Sequence, residues 1–313
     1  MTGVSVVLGA SGGTGRAVVA ELAARGLPVR AVNRRGNADA PSGVERVAAD
    51  ITTAEGAASA CAGAAVVYHC AQPAYTRWAA EFPAMNETVI AAAAAAGAKL
   101  VFADNLYAYG PLHGPISEDT PQQPSSRKGR VRLALTRRLL EAHRDGRLRV
   151  AIGRSSDYYG PGGVDSVAGR QLFEPVLAGR PVPWPGDPDQ PRTLHFLGDM
   201  ARGLVTLGSD DRADGQIWIL PAAPPLTPRE FIALAAEVAG TRCRVRRVSR
   251  TALRLAGLFV APARELSDIW YQYVQPFTVD ASRFEATFGP ATVTPHADAL
   301  SQTLTWYRRT AAG

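Results

Sequence analysis

Three glycines, Gly9, Gly12 and Gly15, stand in G-x-x-G-x-x-G spacing within VVLGASGGTGRAVV, between an apolar run and a helix-forming one. Glycine permits a tight turn and a close approach of the backbone. The first turn of the following helix offers free N–H groups and a positive dipole end to a pyrophosphate. Ser11, Gly13 and Thr14 complete the loop, which reads as a dinucleotide site. The second apolar run ends in VNRRG, where an acid would hold a ribose 2′-hydroxyl. Asn33, Arg34 and Arg35 stand there instead, and guanidinium groups suit a 2′-phosphate through charge-assisted hydrogen bonds. The expected cofactor is therefore NADPH. Asp50, followed by Ile51 in AADIT, closes the next strand and is placed to accept from the adenine amino group.

These residues need a scaffold, and the first half of the chain supplies the pattern of one. Continuously apolar runs at 4–8, 29–32, 65–70, 100–103 and 150–153 predict buried parallel strands. Helix-like stretches at 13–25, 52–62, 82–97 and 128–144 alternate with them, which argues for a doubly wound α/β Rossmann sheet. After residue 160 the texture changes: YGPGG, RPVPWPGDPDQP and PAAPPLTP mark loops and insertions. One further strand, 216–220, and helices near 228–239 and 251–258 follow. The expected organisation is a dinucleotide-binding domain over 1–160, then a small substrate-binding lobe over 161–313 with segments returning to the sheet.

The 313 residues, 46% hydrophobic and 20% charged, have an ordinary globular composition. The net charge of +6 is spread along the chain, densest at 127–138, where a solvated helix face is expected rather than a nucleic-acid surface. Cys61, Cys70 and Cys243 form no metal spacing and fit a reducing compartment, so a cytoplasmic protein without a metal is expected. No apolar run approaches the ~18 residues of a membrane span, and no targeting segment is read at the start. The expected partner is a small molecule, and the chain a monomer or homodimer.

The stretches GASGGTG, AADIT, MNETVIAAAAAAGAKLVFADNLYAYG, GRSSDYYGPGG and RTLHFLGDMARGLV resemble the extended short-chain dehydrogenase/reductases of the epimerase/dehydratase type over nearly the whole chain. The resemblance implies that Cys70, Ala71 and Gln72, at the end of the fourth sheet strand, approach the cofactor. It also implies that Ser155, Ser156 and Asp157 lie beside the nicotinamide, and that Asn86 is structural. The family's chemistry rests on Ser, Tyr and Lys. Here the Ser position is Asn105, and matching KGRVRLALTRRLLEA to the family helix puts Lys128 at the Tyr position and Arg132 at the Lys position.

Hydride delivery to a carbonyl builds negative charge on oxygen, which some group must protonate or stabilise. Asn105, Tyr107, Tyr109 and Lys128 are the candidate donors, unless the substrate carries its own acidic hydroxyl. The expected function is an NADPH-dependent ketoreductase acting on a bulky aromatic or polyketide-like molecule. The alternatives are an NADP(H)-binding redox sensor without turnover and a sugar-nucleotide epimerase or dehydratase.

Tyr75 and Trp78 follow the fourth sheet strand and are expected to touch substrate, with Asp157 beside them. Trp184 and the group Trp270, Tyr271, Tyr273 and Phe277 are candidates to line an aromatic pocket. Arg192 is the candidate for an anionic substrate group, while His195 is expected to pack at a helix entrance and Asp199 to cap that helix. His113, on a loop, is weighed as an acid near neutral pH against a solvated side chain.

Overall fold

The computed structural model describes residues 3–259 and 261–311. Six strands come first: β1 (Val4–Leu8), β2 (Val29–Asn33), β3 (Glu45–Ala48), β4 (Ala64–His69), β5 (Lys99–Asn105) and β6 (Arg149–Ser155). Then follow β7 (Tyr158–Tyr159), β8 (Val182–Pro185), β9 (His195–Phe196), β10 (Gln216–Ile219) and β11 (Val245–Val248). Seven of them form one all-parallel sheet in the order β10-β6-β5-β4-β1-β2-β3. The chain lays down β1 to β3 in one direction and β4 onward in the other, so the order reverses between β1 and β4. In such sheets ligands bind outside the carboxyl ends of the strands at this switch point.

The runs are continuously apolar because both faces of the sheet are covered. Val6 and Leu8 of β1 face a core made with α2 (Ala54–Cys61), α3 (Trp78–Ala95) and α4 (Arg127–Arg144). Val7, between them, faces the opposite core with α1 (Gly13–Ala24), α6 (Leu197–Ser209) and α10 (Ser282–Phe288). A third core joins β8 to α5 (Arg170–Leu177), α7 (Pro228–Ala239) and α11 (His296–Ala311) in a separate lobe. α8 (Arg250–Ala256) and α9 (Ala261–Asp268) follow β11, and α9 packs on the 3-10 turn Tyr75–Arg77 beside the end of β4.

Three differences from the sequence reading have physical causes. α3 begins at Trp78, not at residue 82, and runs through Pro83 in its second turn; a proline near a helix start reads as the start itself. α5 and β8 arise in a stretch whose proline and glycine density reads as loop, because β8 is made by pairing with the distant β11. Asp199 is no N-cap. It lies in the first turn of α6, and its carboxylate binds the Thr294 N–H at 3.1 Å and the Arg202 guanidinium, tying the C-terminal segment to this helix. No helix among the described residues is long and apolar enough to cross a membrane.

Candidate functional site

The glycine loop is sealed on one side and open on the other. Gly9 has φ +80°, and a Cβ there would stand 2.7 Å from the Ala71 backbone, so glycine is what lets the end of β4 close on the loop. A Cβ on Gly15 would lie 2.3 Å from the Gly9 carbonyl oxygen, whereas one on Gly12 would meet nothing closer than 3.5 Å. Helix α1 starts at Gly13 with Gly12 as N-cap and no side-chain cap, leaving the first-turn amides of Gly13, Thr14 and Gly15 for an anion. Gly162, from the YGPGG turn, closes over Gly13, whose Cβ would come 3.0 Å from its carbonyl. The cradle fits a pyrophosphate.

At the adenosine end, Asn33 shapes the loop rather than reaching outward. Its Oδ1 accepts from the N–H groups of Arg35 and Asn37 at 3.1 and 3.2 Å, and its amide donates to Ser11. Arg34 and Arg35 are exposed, and neither guanidinium has an ion pair or hydrogen bond among the described residues. The Asp50 carboxylate accepts from the Thr52 hydroxyl and N–H at 2.7 and 3.0 Å, which, with Arg34 nearby, holds it below the usual carboxylate range. Ile51 is buried, and its carbonyl takes the Thr88 hydroxyl at 2.6 Å.

At the carboxyl ends of the central strands, Asn105 and Ser155 form the last register pair of β5 and β6. The Asn105 side chain accepts from the Tyr107 N–H at 3.1 Å and so fixes the turn that presents Tyr107. Gly129 lets α4 close on that turn, since a Cβ there would lie 2.3 Å from the Tyr107 carbonyl oxygen. Ser126 caps the helix by accepting from Gly129 N–H at 3.0 Å, which sets the rotation at which Lys128 and Arg132 point inward. Both are buried. The cluster at 127–138 is thus only partly the solvated face expected of it, because one turn of α4 lies against the end of β5.

The Lys128 ammonium donates to the Tyr75 carbonyl and lies 3.8 Å over the Tyr75 ring. Arg132 stacks on Trp78, with its guanidinium carbon 4.2 Å from the ring centre, and donates to Gln72 Oε1 at 2.8 Å. The Tyr75 hydroxyl donates to the Tyr107 oxygen across a long 3.3 Å contact. Burial first, then the neighbouring Tyr75 and Asp157, holds the Tyr107 phenol well above its ordinary range. Asn105, Tyr107, Lys128 and Arg132 therefore meet at one place, with Tyr75, Trp78 and Gln72.

Sequence reasoning missed the group beneath them. Asp104 of β5 accepts from Arg132 Nη1 at 3.3 Å and from Arg154 Nε of β6 at 2.8 Å, all three side chains being buried. The available signal was a charge near the carboxyl end of each of two largely apolar strands, in FADN and IGRS. Such charges must find partners, and Asp104 and Arg154 are register partners.

Other candidates stand elsewhere. Trp184 is 1% exposed on β8 inside the lobe core, so it lines no pocket. Arg192 is no free anion receptor: it is buried, forks onto Asp157 Oδ2 at 3.2 and 2.5 Å, and donates to the Gln272 carbonyl at 2.5 Å. Asp157 is thereby committed as well. Trp270 is half-buried at the start of a 3-10 turn, and His113 is exposed on its loop. Cys70 is half-buried, and burial pushes its thiol up to about 12, which leaves it unreactive. Two surface clefts, one bounded by Ala94, His143 and Arg149 and the other by Arg25, Arg202 and Phe288, contain none of these residues. Among the described residues, no three His, Cys, Asp or Glu converge on a metal site.

His195 is buried on β9 and holds the turn after β6: its Nδ1 accepts from Ser156 N–H at 3.2 Å, and its Nε2 donates to the Leu220 carbonyl at 2.9 Å. Burial holds this imidazole down to about 4, and holds that of His69 down to about 3. In the unfolded chain both take up protons near 6.5. Stability is therefore full above pH 6.5 and is lost as pH falls toward 4, at about 1.4 kcal/mol per pH unit for each histidine. His195→Asn should flatten this loss by roughly 2–3 kcal/mol between pH 6.5 and 4.5 in urea unfolding. An unchanged slope would show that His195 is not held neutral.

The model of the NAD dependent epimerase/dehydratase family matches residues 5–219. A dTDP-glucose 4,6-dehydratase of Streptomyces griseus is 26% identical over 202 residues, 64% of this chain but only 56% of that relative's own length. Among solved structures, DesIV, a dTDP-glucose 4,6-dehydratase from Streptomyces venezuelae with NAD bound, superposes with a TM-score of 0.79 at 21% identity, covering 99% of this chain and 98% of that one. MoeE5 in complex with UDP-glucose and NAD gives 0.78 at 24% identity over 99% of both chains. A UDP-glucuronic acid 4-epimerase from Bacillus cereus in complex with NAD gives 0.81 at 17% identity, covering 99% and 98%. At these identities the structures speak for the fold, and the family model, matched over more than half of the sequence, speaks for descent: the chain belongs to the NAD dependent epimerase/dehydratase family.

Proposed function

We propose that this protein is an NADPH-dependent reductase of carbonyl compounds, with Tyr107 as the proton donor. The observation that carries the reading is the hydrogen-bond pattern at Tyr107, whose oxygen accepts from the Tyr75 hydroxyl and keeps its own proton to give. A reduced nicotinamide supplies the hydride, and so two electrons, to the carbonyl carbon. Tyr107 gives its proton to the carbonyl oxygen and takes the proton of Tyr75, which is half-exposed and regains one from water, while the Arg132 cation steadies the charge between them. The rings of Tyr75, Trp78 and Tyr107 suit a bulky aromatic or polyketide-like substrate.

A phenol held well above its ordinary range is protonated at neutral pH, the form that can donate to a developing alkoxide. Epimerisation and dehydration of nucleotide sugars begin instead with oxidation of an alcohol and need a base for its proton. That second reading is favoured by the relatives, which are nucleotide-sugar dehydratases and epimerases. Purified protein is given NADPH with aryl ketones and quinones, or NAD with UDP-glucose and dTDP-glucose, and the products are weighed by mass spectrometry. Consumption of NADPH with a reduced carbonyl product supports the reductase. Conversion of a sugar nucleotide instead favours the second reading, and tight NADPH binding with no turnover of any compound favours a redox sensor.

The preference for NADPH rests on the unpaired Arg34 and Arg35, although the solved relatives hold NAD. Arg34→Ala should weaken NADPH binding about tenfold, the lower end of what a hydrogen bond to a charged group supplies, and leave NADH nearly unchanged. Equal effects on both cofactors in a fluorescence titration would remove the 2′-phosphate assignment.

A further inference from the structure

We propose that the substrate carries a monoanionic oxygen beside its carbonyl, as an enolate, phenolate or carboxylate, and that the Arg132 guanidinium receives it. The identification of this place as a substrate site rests on the reductase reading above. The proposal itself rests on a charge count. Arg132 is 3% exposed, Arg154 is fully buried, and both draw on the single carboxylate of Asp104. Their other partners are neutral: Gln72 at 2.8 Å for Arg132, and Gln122 and Thr136, each at 3.1 Å, for Arg154. Among the described residues, one positive charge is left without a counter-charge where water is excluded.

An uncompensated buried charge is costly, and the stacked rings of Trp78 and Phe82, 4.2 and 4.8 Å from Arg132, offset part of that cost without supplying an anion. The half-buried carboxylate nearby, Asp157, is matched one to one by Arg192. Two buried nitrogens, Arg132 Nε and Arg154 Nη1, have no hydrogen-bond acceptor among the described residues. Among the described residues no second carboxylate reaches these two guanidiniums, so a ligand is the proposed source of the negative charge. Arg132 is the one placed to meet it, since its other nitrogen reaches Gln72 at the exposed end of β4, while Arg154 lies sealed against the Tyr109 ring at 4.9 Å. A single excess charge matches a monoanion. It also sits where Tyr107 would hand over its proton, so one cation would hold the ionised oxygen and favour charge arriving on the carbonyl beside it.

The test is binding without turnover. Protein loaded with NADP⁺ is titrated with 2-hydroxy-1,4-naphthoquinone, ionised at neutral pH, and with its uncharged 2-methoxy ether, by quenching of tryptophan fluorescence. The hydroxy compound should bind at least tenfold more tightly. The preference should vanish in Arg132→Gln, which leaves Asp104 paired with Arg154, and survive in Arg132→Lys, which keeps the charge. Equal binding of the two quinones by the unaltered protein would overturn the proposal, as would a preference undiminished in Arg132→Gln. No hydride moves in this experiment. A preference seen here together with failure to oxidise NADPH would sink the reductase reading and leave the anion site standing.

Discussion

Replacing Asp104 with Ala should cost about 3–5 kcal/mol of stability, the range for breaking a buried ion pair from one side. The loss is large because the carboxylate serves two guanidiniums at once, Arg154 at 2.8 Å and Arg132 at 3.3 Å, with the Thr136 hydroxyl at 3.2 Å as a third donor. Without it, two like charges face each other in a protein interior, and the loss of attraction is compounded by repulsion. Urea unfolding of the variant should show a lower midpoint with a similar slope, the mark of changed stability rather than a changed unfolded state. Adding Arg154→Leu should recover part of the loss, because the pair is coupled and the second change removes a stranded charge. A loss below about 1 kcal/mol in the single variant would mean that water or a relaxed side chain serves the guanidiniums, and the charge count at Arg132 would lose its force.

The doubly wound sheet was legible in the sequence because parallel strands covered on both faces carry largely apolar runs, as β1, β2, β4, β5 and β6 do. The glycine loop was legible because close approach leaves no room for a side chain at Gly9 or Gly15. What stayed hidden depends on rotation and on distant pairing. Nothing in the spacing of Lys128 and Arg132 says whether their shared face of α4 meets solvent or the end of β5; the Ser126 cap and the Gly129 contact with Tyr107 decide it. The bond between Asp104 and Arg154 needs β5 and β6 adjacent and in register, which neither strand announces alone. An aromatic ring in a pocket and one in a core leave the same trace in a sequence, so Trp184 read as a ligand contact until β8 was seen inside the lobe.

Tyr107→Phe should lower kcat by about 10²–10⁴-fold, the usual contribution of a positioned proton donor, with the Kd for NADPH unchanged. The phenol makes no contact with the glycine loop, and its ring packs between the sheet core and the lobe core, so phenylalanine keeps the packing and removes only the hydroxyl. Tyr75→Phe should do less, because it removes the replacement proton and not the first one. The pH profile separates this account from others. A general acid must be protonated to act, and burial together with Tyr75 and Asp157 raises this one well above its ordinary value, so kcat should stay flat through about pH 10, where an ordinary phenol would already have lost half of its protonated form. If Tyr107→Phe keeps its rate within about threefold, the proton comes from elsewhere. Lys128 is then a poor substitute, since its ammonium is spent on the Tyr75 carbonyl. The Asn105 amide or the substrate's own hydroxyl would remain, and the dependence of rate on substrate acidity would tell those two apart.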